Sequence, residues 1–191
     1  MKVCPIALIG ILAILPSFAL AQPQQKEVAN VWAKAEAKME AHLKGIDPKM
    51  RYAEFKSERL SKYLPEFRVF RGLERNTIGQ LSLFIVNKDG DIADFDDDDG
   101  GAIADFLRAR KIKLNSENDA TEFVKFFKEL QGRDEYHNDN ENWNYTTEKR
   151  EGGWKVKINY IGDLSLSIMV PPTYEIDIDA QGNFRDLKEK N

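Results

Sequence analysis

Trp143-Asn144-Tyr145-Thr146-Thr147-Glu148-Lys149-Arg150-Glu151-Gly152-Gly153-Trp154-Lys155-Val156-Lys157-Ile158-Asn159-Tyr160 decides the fold class. Trp143, Tyr145 and Thr147 alternate with Asn144, Thr146 and Glu148. Trp154, Val156, Ile158 and Tyr160 alternate with Lys155, Lys157 and Asn159. A two-residue period with Gly152-Gly153 between the runs predicts a β-hairpin with one wet face and one apolar face. The apolar face needs a cover, and the preceding segment supplies one. Ala120, Phe123, Val124, Phe127 and Leu130 recur at helical steps after Ser116, an N-cap with Asp119 three residues on, and Gly132 closes the helix.

Working outward, Tyr174, Ile176 and Ile178 alternate with Glu175, Asp177 and Asp179, and Gln181-Gly182-Asn183 turns the chain into Phe184 to Leu187. Leu164 to Val170 predicts a further strand, ended by Pro171-Pro172, and Arg133 to Asn142 reads as an exposed loop. Toward the N-terminus, Gly100-Gly101 opens a helix with Ile103, Phe106 and Leu107. Leu81 to Val86 is apolar almost throughout, as expected of a strand covered on both faces or lying centrally. Lys88-Asp89-Gly90-Asp91 then turns it into Ile92 to Phe95, and Phe67 to Leu73 is a strand before it. Val28, Val31, Trp32, Ala35, Met39 and Leu43 mark an amphipathic helix over Lys26 to Leu43, after a polar linker Gln22 to Gln25 and before Gly45. Such a stripe packs on a sheet more commonly than on a membrane. Asp47-Pro48, followed by Tyr52, Phe55, Leu60, Tyr63 and Leu64, predicts a second helix to about Leu64. The expected fold is α+β, with one or more antiparallel sheets packed by helices on one face.

Met1 to Ala21 has the grammar of a secretory signal peptide: Lys2, an uncharged apolar run from Pro5 to Phe18, and Ala19-Leu20-Ala21 before Gln22. The run is too short to span a bilayer and no second one follows, so no transmembrane segment is expected after cleavage. The expected location is secreted or periplasmic. Cleavage leaves Gln22 to Asn191, and it removes one of the 28 basic side chains and none of the 32 acidic ones. The resulting net charge of −5 gives no electrostatic footprint for nucleic acid. The one cysteine, Cys4, lies in the signal, so disulfides, zinc thiolates and cysteine nucleophiles are not expected in the mature chain.

Phe84 to Phe95 echoes Ile176 to Leu187 at an offset of 92, and Gly79 to Leu83 echoes Gly162 to Leu166 at an offset of 83. Either the chain is a tandem duplication, with units at 22–99 and 100–191 that can form one compact domain, or its hairpins share a common turn grammar. The order helix–helix–strands, read twice, resembles the β-lactamase-inhibitory-protein architecture. The closing pattern Tyr174 to Phe184 is similar to the end of a PepSY-type domain. These resemblances imply a small exported module that binds or inhibits a protein or peptide, and they carry over no inhibitory residue.

Two constellations stand out. Asp94, Asp96 and Asp98 have the alternate spacing of a calcium loop, with Asp105 at the twelfth place, although Asp99 stands where such a loop needs glycine. The other reading is a solvated acidic run that complements the N-terminal dipole of the next helix. Trp143, Tyr145, Trp154 and Tyr160 are either core or, where exposed, a partner-binding patch. His42 and His137 are the only histidines and no nucleophile motif accompanies them; Asn144-Tyr145-Thr146 is a sequon that matters only in a glycosylating host. The leading expectation is a non-enzymatic exported module that binds through its sheet face without a cofactor. The alternatives are a carboxylate-dependent hydrolase or carbohydrate-active domain, which needs two facing carboxyl groups, and a calcium-dependent envelope protein.

Overall fold

The computed structural model describes residues 22–46, 51–73, 81–96, 99–132, 143–162 and 173–190. The elements run α1 (Gln22–Ile46), β1 (Arg51–Phe55), α2 (Glu58–Tyr63), β2 (Phe67–Leu73), β3 (Leu81–Asn87), β4 (Ile92–Asp96), α3 (Gly100–Arg108), α4 (Glu117–Leu130), β5 (Trp143–Arg150), β6 (Gly153–Tyr160), β7 (Thr173–Asp179) and β8 (Phe184–Lys190). The fold is α+β. Its strands form two antiparallel meanders, sheet I in the order β1-β2-β3-β4 and sheet II in the order β5-β6-β7-β8. The signal segment, Leu164 to Val170 and the Arg133 to Asn142 loop lie outside the described residues, as does most of the Gly162 to Leu166 echo.

The apolar run of β3 has the expected cause. Leu83, Phe84, Ile85 and Val86 are all buried, and they divide between two clusters by the strand's alternation. Phe84 and Val86, with Phe70 of β2, meet Ala35, Met39 and Leu43 of α1. Leu83 and Ile85, with Val69, face a larger core shared with α2, α3, α4 and sheet II. Sheet I therefore carries helices on both faces rather than on the one face expected, because both sides of β3 are apolar. α1 is longer than its apolar stripe: it begins at Gln22, where a linker is expected, and includes Gly45 in its last turn.

The helix expected over Asp47 to Leu64 is instead a strand and a short helix. Residues 51–55 pair with β2 in the register Arg51↔Leu73 through Phe55↔Val69. Ser57 is the true N-cap, its Oγ accepting from Leu60 N at 3.0 Å. The three-residue step from Tyr52 to Phe55 belongs to β1 and is no helical period, and Leu60 opens the separate α2 stripe with Tyr63 and Leu64. Tyr52 lies edge-on to Phe70 across the strand pair, with centroids 5.9 Å apart, and Phe55 lies under the Arg71 guanidinium at 4.3 Å.

Between the sheets lies the helical layer. Phe106 of α3 meets Phe67 and Phe95 of sheet I, while Phe123 and Phe127 of α4 pack on Phe184 of sheet II. Tyr63 of α2 packs on Phe123 and Phe126. α4 carries the expected cap, Ser116 Oγ accepting from Asp119 N at 3.1 Å. Its last turns are buried on every side, Lys128 and Glu129 included, because α2, α3 and sheet II surround it and Arg71 of sheet I reaches the Glu129 carbonyl. The layers are thus α1, sheet I, the helices α2 to α4, and sheet II.

Candidate functional site: the outer face of sheet II

Alternation sends Trp154, Val156, Ile158, Tyr174, Ile176 and Ile178 inward to α4. The opposite face holds Asn144, Thr146 and Glu148 of β5, Lys155, Lys157 and Asn159 of β6, and Glu175, Asp177 and Asp179 of β7. Among the described residues no helix covers this face. The register sets charges in rows across the strands, Thr146–Lys157–Glu175–Lys188 in one and Glu148–Lys155–Asp177–Asp186 in the next.

These rows lock together diagonally as well as directly. Lys155 Nζ lies 3.4 Å from Glu175 Oε2 and 3.8 Å from Asp177 Oδ2. Lys157 Nζ turns the other way, to Glu148 Oε1 at 2.9 Å, and Arg150 also meets Glu148. The hydrogen bond from Lys157 is the main reason the Glu148 carboxyl lies below its ordinary range. Asp186 holds the Lys188 ammonium above its own. The face is a mosaic of acidic and basic side chains in alternating register.

The aromatic set divides. Trp154 is only 8 % exposed and belongs to the core. Trp143 and Tyr145 are half-buried against that core, and the Trp143 and Tyr160 rings meet edge-on at 5.1 Å where the two strands pair. Trp143, Tyr145 and Tyr160 lie toward one end of the β5–β6 hairpin, and Trp154 lies buried toward its turn.

Where it is described, the aspartate run divides between a strand and a helix cap. Asp94 and Asp96 lie in β4, paired with Phe84 and Ser82 of β3. Asp94 Oδ2 is 3.3 Å from His42 Nε2 on α1. Asp99 caps α3, accepting from Ala102 N at 2.9 Å, which is the helix-dipole reading realised. Asp105 projects from α3 to Arg108 at 2.7 Å. Asp98 and His137 lie outside the described residues, and among the described residues no three His, Cys, Asp or Glu side chains converge.

Two further polar constellations escaped sequence reasoning. Arg59 bridges Glu122 and Glu129 of α4, its Nε donating to Glu122 Oε2 at 2.8 Å and its Nη1 to Glu129 Oε1. Ser57 Oγ donates to Glu129 Oε2 at 2.9 Å. The two carboxylates hold the Arg59 guanidinium between them, and Lys125 Nζ also meets Glu122 Oε1 at 3.3 Å. Second, a groove of about 300 Å³ runs between β1, α2 and β2 over Phe55, Leu60, Leu64 and Phe67. Its one carboxylate, Glu54, is bound by Arg68 Nε at 2.6 Å and Lys56 Nζ at 3.0 Å, and the Arg68 hydrogen bond holds it below its ordinary range. An ionised, doubly paired carboxylate is a poor general acid or base. The signal for the first cluster was the adjacent pair Phe126-Phe127, which makes α4 apolar on more than one side and forces its neighbouring charges to find partners.

No family model matches the chain, nor does any curated protein or solved structure.

Proposed function

We propose that the protein is an exported, non-enzymatic module that binds a protein or peptide partner across the outer face of sheet II. The observation that carries this reading is the uncovered mosaic of Lys155, Lys157, Glu175 and Asp177. It is a broad sheet face with both signs of charge in fixed register, whereas both faces of sheet I are occupied. Rim charges of this kind steer encounter and fix orientation more than they add affinity. The second half, two helices followed by a meander, accords with the β-lactamase-inhibitory-protein and PepSY resemblances, while β1 interrupts that order in the first half; the signal grammar of Met1 to Ala21 accords with a secreted or periplasmic location. The hydrolase reading gains nothing from the groove, where Glu54 is the single carboxylate, nor the calcium reading from Asp94 and Asp96.

The test is cross-linking in the producing cell with a short amine-reactive reagent, followed by mapping of the linked lysines. Partner links concentrated at Lys155, Lys157 and Lys188, and lost in the folded Lys155→Ser/Lys157→Ser variant, are the expected result. Links that map to other faces, or no partner at all, overturn it.

A further inference from the structure

α1 stands apart from the main core. Its buried residues Ala35, Met39 and Leu43, with Trp32 beside them, form a separate cluster with Phe70, Phe84, Val86 and Ile92 of sheet I. The rest of the fold, from Leu60 to Phe184, closes on a core to which α1 contributes no described side chain. Its polar ties are peripheral. Lys38 Nζ donates to Asp89 O at 2.8 Å, His42 meets Asp94 with both side chains about two-fifths exposed, and Glu36 meets Arg68.

Departure of α1 would orphan no buried charge among the described residues. Arg68 keeps Glu54, and water reaches the partners of Lys38 and His42. What remains is an apolar strip, Phe70, Phe84 and Val86, on a sheet face that needs a cover. The shape that fits it is on the page: a helix with apolar side chains spaced as Ala35, Met39 and Leu43 are, and a carboxylate next to the first, opposite Arg68. The β3–β4 turn helps select it. Gly90 has φ +80°, and a Cβ there would stand 2.5 Å from Lys38 Cδ, so the lysine stem needs that bare turn to cross.

We propose that the outer face of sheet I is a receiver for an amphipathic helix, that α1 is its replaceable occupant, and that the partner it takes in exchange is an amphipathic helix of another protein carrying the same stripe. This is recognition of a helix in an apolar groove. The receiver lies on sheet I, so it stands or falls independently of the binding reading for sheet II.

The probe is a fluorescein-labelled peptide of residues 26–46, added to the full mature chain and to its Met39→Asp/Leu43→Asp variant. The variant should keep a cooperative urea transition reported by Trp154 and bind the peptide at least tenfold more tightly than the parent, whose own α1 competes at high effective concentration. A peptide with the same two substitutions should not bind. Hydrogen exchange on the unmodified chain supplies a second measurement: α1 amides should exchange through an opening that leaves β3 and α4 protected. A variant that unfolds as a whole, a variant that folds but binds no better than the parent, or α1 amides as protected as those of α4 overturns the proposal.

Discussion

Asn87 donates from Nδ2 to Asp91 Oδ2 at 2.9 Å across the β3–β4 turn, and the same bond recurs with the residue types exchanged, from Asn183 Nδ2 to Asp179 Oδ2 at 2.8 Å across the β7–β8 turn. The second turn stands 92 positions after the first, and its backbone bonds repeat too. Asn87 N donates to Asp91 O and Gly90 N to Asn87 O; Asp179 N donates to Asn183 O and Gly182 N to Asp179 O. Both turn glycines have positive φ, +80° and +75°. In each case the first residue's Oδ1 accepts from the backbone N–H four residues on.

The exchange places the charge differently, and Asp179→Ala tests what it does. Partial burial pushes the Asp179 carboxyl up, but hydrogen bonds from the Asn183 side chain and from the Asn183 and Gln181 N–H groups hold it below its ordinary value. A carboxyl whose folded pKa is depressed contributes stability above its unfolded value of about 4 and loses it as pH falls through the folded value. Asp179→Ala should therefore cost about 1–3 kcal/mol at pH 7, unchanged to pH 5, with the gap closing below about pH 4. Urea midpoints at several pH values measure it, and a gap that persists undiminished at pH 2 contradicts it.

Trp154→Ala should destabilise by about 3–5 kcal/mol, because the ring is buried over α4 and its removal leaves a cavity that a sheet cannot collapse to fill. Equilibrium urea unfolding decides. A loss under roughly 0.5 kcal/mol, the range of surface substitutions, contradicts the placement.

Local chemistry made most of this fold legible. Alternation marked β5 to β8, the Ser116 cap marked α4, and the two-faced apolarity of β3 foretold its double cover. β1 was not legible. It is a short edge strand with Arg51, Tyr52 and Ala53 exposed, held by its partner β2 across the intervening α2, and no local period announces such pairing. The helix expected from Asp47-Pro48 runs straight past Ser57, whose side chain is the cap that starts α2. The site shows the same division. At the offset of 92, Leu83 and Ile85 correspond to Glu175 and Asp177, so one strand face is core in sheet I and charged surface in sheet II. Wetness was readable from those residues; which strands flank them was not.

Neighbouring strands β6 and β7 bring Lys155, not Lys157, to Asp177. A double-mutant cycle on Lys155 and Glu175 should give a coupling of about 0.2–1 kcal/mol that fades with salt. A cycle on Lys157 and Glu148 should also show coupling, and added salt should erase it sooner because that pair is more open to water. A cycle on Lys157 and Asp177 should give nothing measurable. Equal coupling in all three would mean that a diffuse field, rather than these contacts, organises the face.

The Arg59 bridge makes the strongest claim on stability. Burial pulls the Arg59 guanidinium down, but its bonds to Glu122 and Glu129 more than reverse this and raise it. Burial likewise pushes Glu122 up, and Arg59 with Lys125 brings it below its ordinary value. Arg59→Met removes the guanidinium shared by the two carboxylates, 28 % and 10 % exposed, and leaves Lys125 beside Glu122 and Ser57 on Glu129. Breaking a buried pair from one side costs about 3–5 kcal/mol, whereas removing all its charges together is often close to neutral. Arg59→Met should thus be severely destabilising at pH 7, and Arg59→Met/Glu122→Gln/Glu129→Gln should recover most of the loss, with Ser57 still bonded to the amide oxygen at position 129. The sign of the pH effect is opposite in the two proteins. Glu122 of the parent contributes stability above about pH 4 and loses it as pH falls through the depressed value. In Arg59→Met, protonation of Glu122 removes its charge from beside Glu129, so the variant's deficit should narrow on acidification. Urea unfolding of the parent and both variants at pH 7 and pH 3.5 separates these outcomes; a triple variant no more stable than the single one would show that packing of the Arg59 stem, not its charge, joins α2 to α4.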